Sequence, residues 1–369
     1  MKLPPETILV IITRRIGDVF LATAAIRSLK IAWPQCNIHA LVFAGTEGVI
    51  SDNSDIDHII RIPERPTGMQ HLKLLFQIFR RYDLALSLLS GDRPTLYAWL
   101  AGKHRAGVLL DRPADRWKTK LLNQYVFSDF ISDHTVRTYL SVIRLLNIDT
   151  YATLTPAFNA ADQAAISTLP IHRHKPLVVL HPYPKYRYKM WQQSNWIALA
   201  QWLEQHGYAV AFSGSPDPKE LNYIREITAQ LPQTVINTAG ILSIGGTAAL
   251  LATAHAYIGP DTAITHLAAA TGIPTLALFG PSEPVRWGPW PKGHDGSTNP
   301  WVRIGTQQKN NVQLIQGVGD CVPCGFEGCE RRLESTSDCL LNISVETVTR
   351  CLEDLLQNYT ANNQLSISI

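Results

Sequence analysis

Charge is sparse in this chain of 369 residues: Asp, Glu, Lys and Arg make up 17% of it, and the formal net charge is only +3. That balance excludes a general nucleic-acid binder, although local cationic clusters remain available to grip phosphate. No apolar run reaches the roughly 20 residues that a membrane-spanning helix needs. The first seven residues hold two prolines and lack the layout of a secretory signal. A cytoplasmic protein is therefore expected, with contact at the inner face of the cytoplasmic membrane left open. Two glycine-rich nucleotide loops are missing as well: there is no G-x-x-x-x-G-K-[ST], and no G-x-G-x-x-G follows the first strand. No short-period repeat occurs, which removes a solenoid. Cysteine is scarce, six in all, yet five of the six crowd between Cys321 and Cys351. In a reducing compartment that crowding points to metal more than to disulfides.

What is present is hydrophobic patterning. Residues of the apolar class make up 46%, enough for a folded protein, and the length suits two domains of roughly 150–200 residues. "ILVII" from Ile8 predicts a buried strand. Val19, Ala22, Ile26, Leu29 and Trp33 then recur at three- and four-residue spacing, predicting a helix stopped by Pro34. Further strands are expected at "IHALVF" and "DLALSLL", and helices at "HLKLLFQIFRRY" and "TVRTYLSVIRLLNI". A second cycle follows: strands at "LVVLH", "YAVAFSG", "TVINTAG", "AYIG" and "TLALFG" alternate with helices at "WIALAQWLEQHG", "GTAALLATA" and "TAITHLAAATG". Such alternation predicts an α/β protein of two Rossmann-like, doubly wound domains with mostly parallel sheets. The expected division is residues 1–165, residues 172–343, and a C-terminal helix and tail over 344–369. In that helix Val345, Val348, Leu352 and Leu355 form one apolar stripe, and the final "TANNQLSISI" is expected to fray.

Three loops carry candidate chemistry. In "TRRIGD" a lone carboxylate, Asp18, follows Arg14, Arg15 and Gly17 where the first strand gives way to a helix. It is either a helix cap or a group placed to do chemistry. In "YIGPDTAITH" Asp261 stands where an N-cap belongs. The first-turn N–H groups of Thr262, Ala263 and Ile264, with the Thr262 hydroxyl, offer an anion seat suited to a diphosphate. Asp261 as a plain cap and His266 as a packed core histidine are the bland alternatives. In "HPYPKYRYKMW" Lys185, Arg187 and Lys189 alternate with tyrosines, either to neutralise a departing diphosphate or as a solvated basic loop. The first two loops lie at strand carboxyl ends and are expected to face a central cleft, the usual ligand position in open α/β sheets.

A fourth loop, "CVPCGFEGCERRLESTSDC", spaces Cys321, Cys324, Cys329 and Cys339 by two, four and nine residues. Four thiolates in a short glycine-containing loop suit a tetrahedral zinc or iron of structural, not catalytic, kind; free thiols packed in a loop are the alternative. Cys36 and Cys351 read as ordinary buried thiols.

"RRIGDVFLATAAIRSLK", the K-x-W of Lys189 to Trp191, and "IGPDTAITHLAAATGIPTLALFGPSEPVRWGP" together resemble glycosyltransferase family 9, the ADP-heptose:lipopolysaccharide heptosyltransferases. The resemblance implies the GT-B fold, an ADP-heptose donor held by the second domain, and inversion at the anomeric carbon without a catalytic cofactor. It implies Asp18 as general base and Lys189 as a donor-phosphate lysine, with Asp261, Thr262, Ala263, Ile264 and His266 as the donor loop. Ala263 departs from the family's usual glycine. Asp217 and Glu220, in "GSPDPKE", are both candidates for the donor ribose. The four cysteines resemble those of a cysteine-bearing subset of the family. The acceptor, a lipopolysaccharide core or else a protein, is expected on the first domain. There Arg14, Arg15, Arg112 and Arg116, with Lys118 and Lys120, are candidate contacts for an anionic partner, or ordinary surface charges. A non-catalytic nucleotide-sugar-binding protein and a GT-B-fold epimerase or hydrolase remain as rival classes.

Overall fold

The computed structural model describes residues 4–171 and 174–367, which group into two units. One unit takes the chain through Ala157 together with the short segment Asp295–Asn299. The other takes Phe158–His294 and the chain from Pro300 onward.

In the first unit β1 (Thr7–Ile12), β2 (Asn37–Phe43), β3 (His58–Ile62), β4 (Tyr82–Ser87), β5 (Gly102–Leu109) and β6 (Gln124–Phe127) form one sheet in the order β3-β2-β1-β4-β5-β6. Every pairing is parallel. Residues Ile8 to Ile12 are fully buried, as a strand covered by crossover helices on both faces must be.

The second unit repeats the plan with β7 (Leu177–Leu180), β8 (Ala209–Phe212), β9 (Ile236–Asn237), β10 (Ala256–Pro260), β11 (Thr275–Phe279), β12 (Gln307–Lys309) and β13 (Val312–Gln316). Its order is β12-β13-β11-β10-β7-β8-β9, with only the edge strand β12 antiparallel. In both sheets the chain reverses its direction of growth beside the first strand, between β1 and β4 and between β7 and β10. These are the topological switch points where open α/β sheets hold ligands. The expected doubly wound α/β class is present in each unit.

Three expectations are corrected. The boundary falls after Ala157, not after residue 165, because the helix Ala160–Ser167 groups with the second unit. Its Asp162 accepts a 2.6 Å hydrogen bond from the Ser243 hydroxyl and lies so close to Gly245 that a Cβ there would come within 2.2 Å of it. Residue 172, the expected start of the second domain, lies outside the described residues. The single helix expected from Val19 to Trp33 is two, Ile16–Leu21 and Thr23–Ala32, and the Thr23 hydroxyl turns back to the Phe20 carbonyl at 2.7 Å. The expected fraying from Thr360 gives way to a helix that runs Val345–Ile367, while Ser368 and Ile369 lie outside the described residues. Its buried Val348, Leu352 and Leu355 join the second unit's core with Val178, Trp196 and Leu199.

Candidate active site

In the first unit the chain leaves β1, turns at Thr13 to Arg15 and enters the six-residue helix Ile16–Leu21. Asp18 is not its cap: Arg15 holds that position without a side-chain bond, and Asp18 lies in the first turn. The carboxylate is 5% exposed. The Arg14 Nε stands 3.3 Å from one oxygen, and the Tyr139 hydroxyl donates to the other at 3.5 Å. Tyr139 is buried on the helix Thr135–Arg144, whose Val136, Tyr139, Leu140 and Ile143 make its apolar stripe. A carboxylate in this position has a counter-charge and an orienting hydroxyl that hold it in place.

The expected basic stretch from Arg112 to Lys120 folds as a 3-10 turn over Pro113–Lys120. Arg112 is ion-paired with Asp115, while Arg116 is exposed. Lys118 is fully buried, paired with Asp115 and with Asp92 at 2.6 Å, and donates to the Ser90 carbonyl at 2.8 Å. Its charge is spent inside the unit, so Lys118 is withdrawn from the acceptor candidates. Arg14 is partly exposed and Arg15 exposed.

In the second unit Lys189 closes a single 3-10 turn, Arg187–Lys189, in the segment after β7. Its ammonium pairs with the carboxylate of Asp261, the first residue after β10. The expected cap role moves one residue on: Thr262 is the N-cap of the helix Ala263–Thr271, its hydroxyl accepting the Thr265 N–H at 3.3 Å. Asp261 is thereby released from capping, and the first turn keeps the N–H groups of Ala263 and Ile264 at a half-exposed surface. Gly272, with φ +98°, ends the helix in the left-handed conformation that glycine adopts without strain.

Burial by itself would raise the Asp261 pKa. The charge and hydrogen bond of Lys189, the Ser282 hydroxyl and His266 outweigh burial and hold it below the usual carboxylate range. His266 is buried on the same helix, and burial, reinforced by the Lys189 charge and opposed by Asp261, pushes its pKa down to about 4. Its Nδ1 has no hydrogen-bond partner among the described residues.

Asp217 and Glu220 separate cleanly. Asp217 is exposed and caps the helix Pro218–Thr228, accepting the Lys219 N–H at 2.9 Å and the Glu220 N–H at 3.4 Å. Glu220 is buried, with one carboxylate oxygen bonded to the Ser215 hydroxyl and the other, Oε1, without a partner among the described residues. His181, just past β7, feels the Glu220 charge, though burial dominates and lowers its pKa. A buried acceptor oxygen without a donor is the better match to a ligand hydroxyl.

The four cysteines share one loop but not one environment. Cys321 and Cys329 are exposed, Cys324 is intermediate and Cys339 is buried at the start of the short helix Asp338–Leu341. The Asp338 N–H donates to the Cys329 sulfur at 3.3 Å. Burial pushes the Cys339 thiol up to about 11, and the other three thiols add to the shift. Among the described residues no group of three or more His, Cys, Asp or Glu side chains is arranged to hold a metal ion, so the expected tetrahedral set is not assembled here.

Residues 75–311 match the model of glycosyltransferase family 9 (heptosyltransferase). The chain belongs to this family. Lipopolysaccharide heptosyltransferase 3 of Escherichia coli (strain K12) is 26% identical to it over 288 residues, covering 74% of this chain and 82% of that protein. The solved structure of E. coli ADP-heptose LPS heptosyltransferase II superimposes with a TM-score of 0.73 at 21% identity, covering 95% of this chain and 99% of that one. The iron-containing dodecameric glycosyltransferase TibC from enterotoxigenic E. coli H10407 superimposes at 0.52 and 16% identity, over 96% of this chain and 77% of that one. These likenesses show the fold, the α/β architecture of GT-B heptosyltransferases.

The stretch matched by the family model contains Lys189, Glu220 and Asp261 to His266, whereas Asp18 precedes it and the cysteine loop follows it. Tyr139, His181 and Ser282 were not singled out from the sequence of this glycosyltransferase. Tyr139 is hidden in an apolar stripe, where a hydroxyl cannot be told from core. His181 and Ser282 stand just past β7 and β11, strand-end positions that were available as a signal.

Proposed function

We propose that this glycosyltransferase moves a heptose from ADP-heptose to a sugar hydroxyl of a lipopolysaccharide core, inverting the anomeric carbon. The observation that carries the reading is the Lys189–Asp261 pair beside the Thr262-capped helix start, at the switch point of the second sheet. Such a place receives a diphosphate: a half-positive helix terminus and an ammonium meet the negative charge that builds on departing ADP. Lys189 serves as electrostatic catalyst there, with Thr262, Ala263 and Ile264 as phosphate contacts and Asp261 and His266 shaping the seat. Glu220, not Asp217, accepts from the donor ribose through the oxygen that has no partner among the described residues.

Asp18 accepts the acceptor hydroxyl's proton as that oxygen attacks the anomeric carbon and the bond to the ADP oxygen breaks. Arg14, Arg15, Arg112 and Arg116 meet an anionic acceptor. The reaction needs no catalytic cofactor. The reading includes peripheral contact with the inner face of the cytoplasmic membrane.

The four-cysteine loop belongs to the same reading as a structural zinc or iron site. Its support is the shared loop, the N–H bond to the Cys329 sulfur and the iron in TibC. The arrangement described above is not yet a ligand set, and no catalytic step runs through it.

The deciding assay supplies ADP-heptose with and without a truncated lipopolysaccharide core and follows ADP and sugar product. Acceptor-dependent ADP release is the expected result. Conversion without acceptor would overturn the reading in favour of an epimerase or hydrolase, and binding without conversion in favour of a binding protein.

A further inference from the structure

The helix Gly68–Ile78 in the first unit has two apolar faces, and only one is covered. Leu74 and Ile78 are buried, and the partly buried Leu75 packs against the same core. Around the helix, Met69, Leu72 and Phe76 fall in one row with Lys73, at the spacing that places side chains on a single face. They are 67%, 48% and 70% exposed, and Phe79, just beyond the helix, is 57% exposed. An amphipathic helix on a soluble surface ordinarily turns charge outward. Here it turns out a methionine, a leucine and a phenylalanine, and the residue that ends it is a second phenylalanine.

The Arg80 N–H bonds the Leu100 carbonyl at 2.9 Å, so the stretch carrying Phe79 is tied to the end of the neighbouring helix Asp92–Ala101. That helix exposes Leu96 and Trp99. A grouping of large exposed apolar side chains of this kind marks an interaction surface.

The charge around it selects the partner. Between residues 64 and 81 the chain has Arg65, Lys73, Arg80 and Arg81 against a single acid, Glu64. All four cations are exposed. Apolar side chains ringed by Lys and Arg on an amphipathic helix are the pattern of a segment that lies in the headgroup region of an anionic bilayer. A second copy of this chain fits less well, since a two-fold contact through this face would oppose Lys73, Arg80 and Arg81 to like charges.

We propose that the face formed by Met69, Leu72, Lys73, Phe76, Phe79 and Arg81 docks the protein on an anionic lipid bilayer. This deepens the membrane-contact part of the proposed function but does not depend on which sugar is transferred. Phe76 and Phe79 enter the headgroup boundary, and the cations meet lipid phosphate.

The test is co-sedimentation of the purified full chain with vesicles, without donor or acceptor. One set is phosphatidylglycerol mixed with phosphatidylethanolamine, the other pure phosphatidylcholine. Binding is expected to the anionic set only and to weaken with salt. Phe76→Ser/Phe79→Ser, which removes the apolar area that enters the headgroup boundary, and, separately, Lys73→Glu/Arg81→Glu, which removes two cations worth about 1 kcal/mol each, are each expected to lower the partition coefficient at least tenfold. Both pairs should keep the wild-type Tm, since the replaced side chains are exposed. Equal binding by the variants, equal binding to both vesicle types, or a concentration-dependent dimer without lipid that Phe76→Ser/Phe79→Ser abolishes would each overturn the proposal. Transfer to a soluble truncated acceptor is read in parallel. Its retention in the variants separates failure of docking from failure of the transferase reading.

Discussion

Lys189 and Asp261 are ion-paired across 72 residues of chain, joining the segment after β7 to the end of β10 on either side of the switch point. Side-chain exposures of 19% and 9% place the pair out of bulk water. A pair so placed is stable only while both partners stay, because removing one leaves a buried charge uncompensated. The arrangement also holds the ammonium beside the start of the helix Ala263–Thr271. In the proposed reading, an incoming diphosphate meets a cation already positioned. His266 completes the group, neutral at pH 7 and buried against both.

His266 gives the molecule a pH signature. Its pKa in the folded chain is about 4 against an ordinary 6.5. Between those values the unfolded chain binds a proton that the folded chain does not. The stability tied to His266 is thus fully present above about pH 6.5 and is lost as pH falls toward 4, by at most about 1.4 kcal/mol per pH unit. Asp261, held below its usual range, acts in the same sense only at more acid pH, below about 4. Urea midpoints of the wild type should fall between pH 7 and pH 4.5, and His266→Gln should flatten that slope. An unchanged slope in the variant would remove His266 as its source.

Asp18→Asn keeps the shape of the side chain and removes the basic oxygen. Turnover is expected to drop by about 100- to 10,000-fold, the usual worth of general-base catalysis. Donor affinity, measured by calorimetry with ADP-heptose, should be unchanged. Wild-type-like turnover in single-turnover experiments, where chemistry is observed directly, would end the assignment.

The sequence made β1, β2 and β4 of the first sheet and β7 to β11 of the second legible, because apolar runs of four to six residues bounded by Gly, Pro or Asp have few other readings. β7, β8, β10 and β11 fall where "LVVLH", "YAVAFSG", "AYIG" and "TLALFG" stand. β3, β6, β12 and β13 were not foreseen, nor was β5: "GKHRAGVL" opens on a glycine and three polar or charged residues, and its apolar half is short. The break at Ala22 was hidden too, since a helix interrupted by one residue keeps nearly the same periodicity. At the site, residue types were readable but not their partners. Asp261 looked like a cap because the next residue, Thr262, is an equally good cap, and only the fold tells which one faces Lys189. Lys118 looked like surface charge because its two carboxylate partners lie 3 and 26 residues away, and only the folded turn brings both to it.

That burial of Lys118 has a measurable consequence. Lys118→Met removes the charge between Asp115 and Asp92, leaving Asp115, itself 2% exposed, with Arg112 alone. A loss of about 3 kcal/mol in unfolding free energy is expected, at the lower end for breaking a buried pair because one partner remains. Acceptor KM should not change. A variant of wild-type stability with a raised KM would return Lys118 to the acceptor site.

Asp217 and Glu220 are distinguished by a pair of substitutions. Asp217→Ala removes a helix cap and should cost about 1 kcal/mol of stability while leaving ADP affinity intact. Glu220→Gln keeps the size of the side chain but replaces an acceptor oxygen by a donor amide. ADP affinity should fall about tenfold, the worth of a hydrogen bond to a charged group. Calorimetric titration with ADP reads both, and the reverse pattern would assign the ribose to Asp217.

The cysteine loop is settled by elemental analysis of protein purified without chelators or oxidants. The expected content is about one zinc or iron per chain. Cys324→Ser should abolish it, since a tetrahedral site deprived of one thiolate binds far more weakly. Transfer to a soluble acceptor should survive in that variant at temperatures well below its Tm, because the metal's proposed part is to tie Cys321, Cys324 and Cys329 to the buried Cys339. The Tm itself should fall, by several degrees. Metal-free wild-type protein with full activity and an unchanged Tm after added chelator would leave the four cysteines as packed thiols, the state in which Cys339 is buried and Cys321 and Cys329 face solvent.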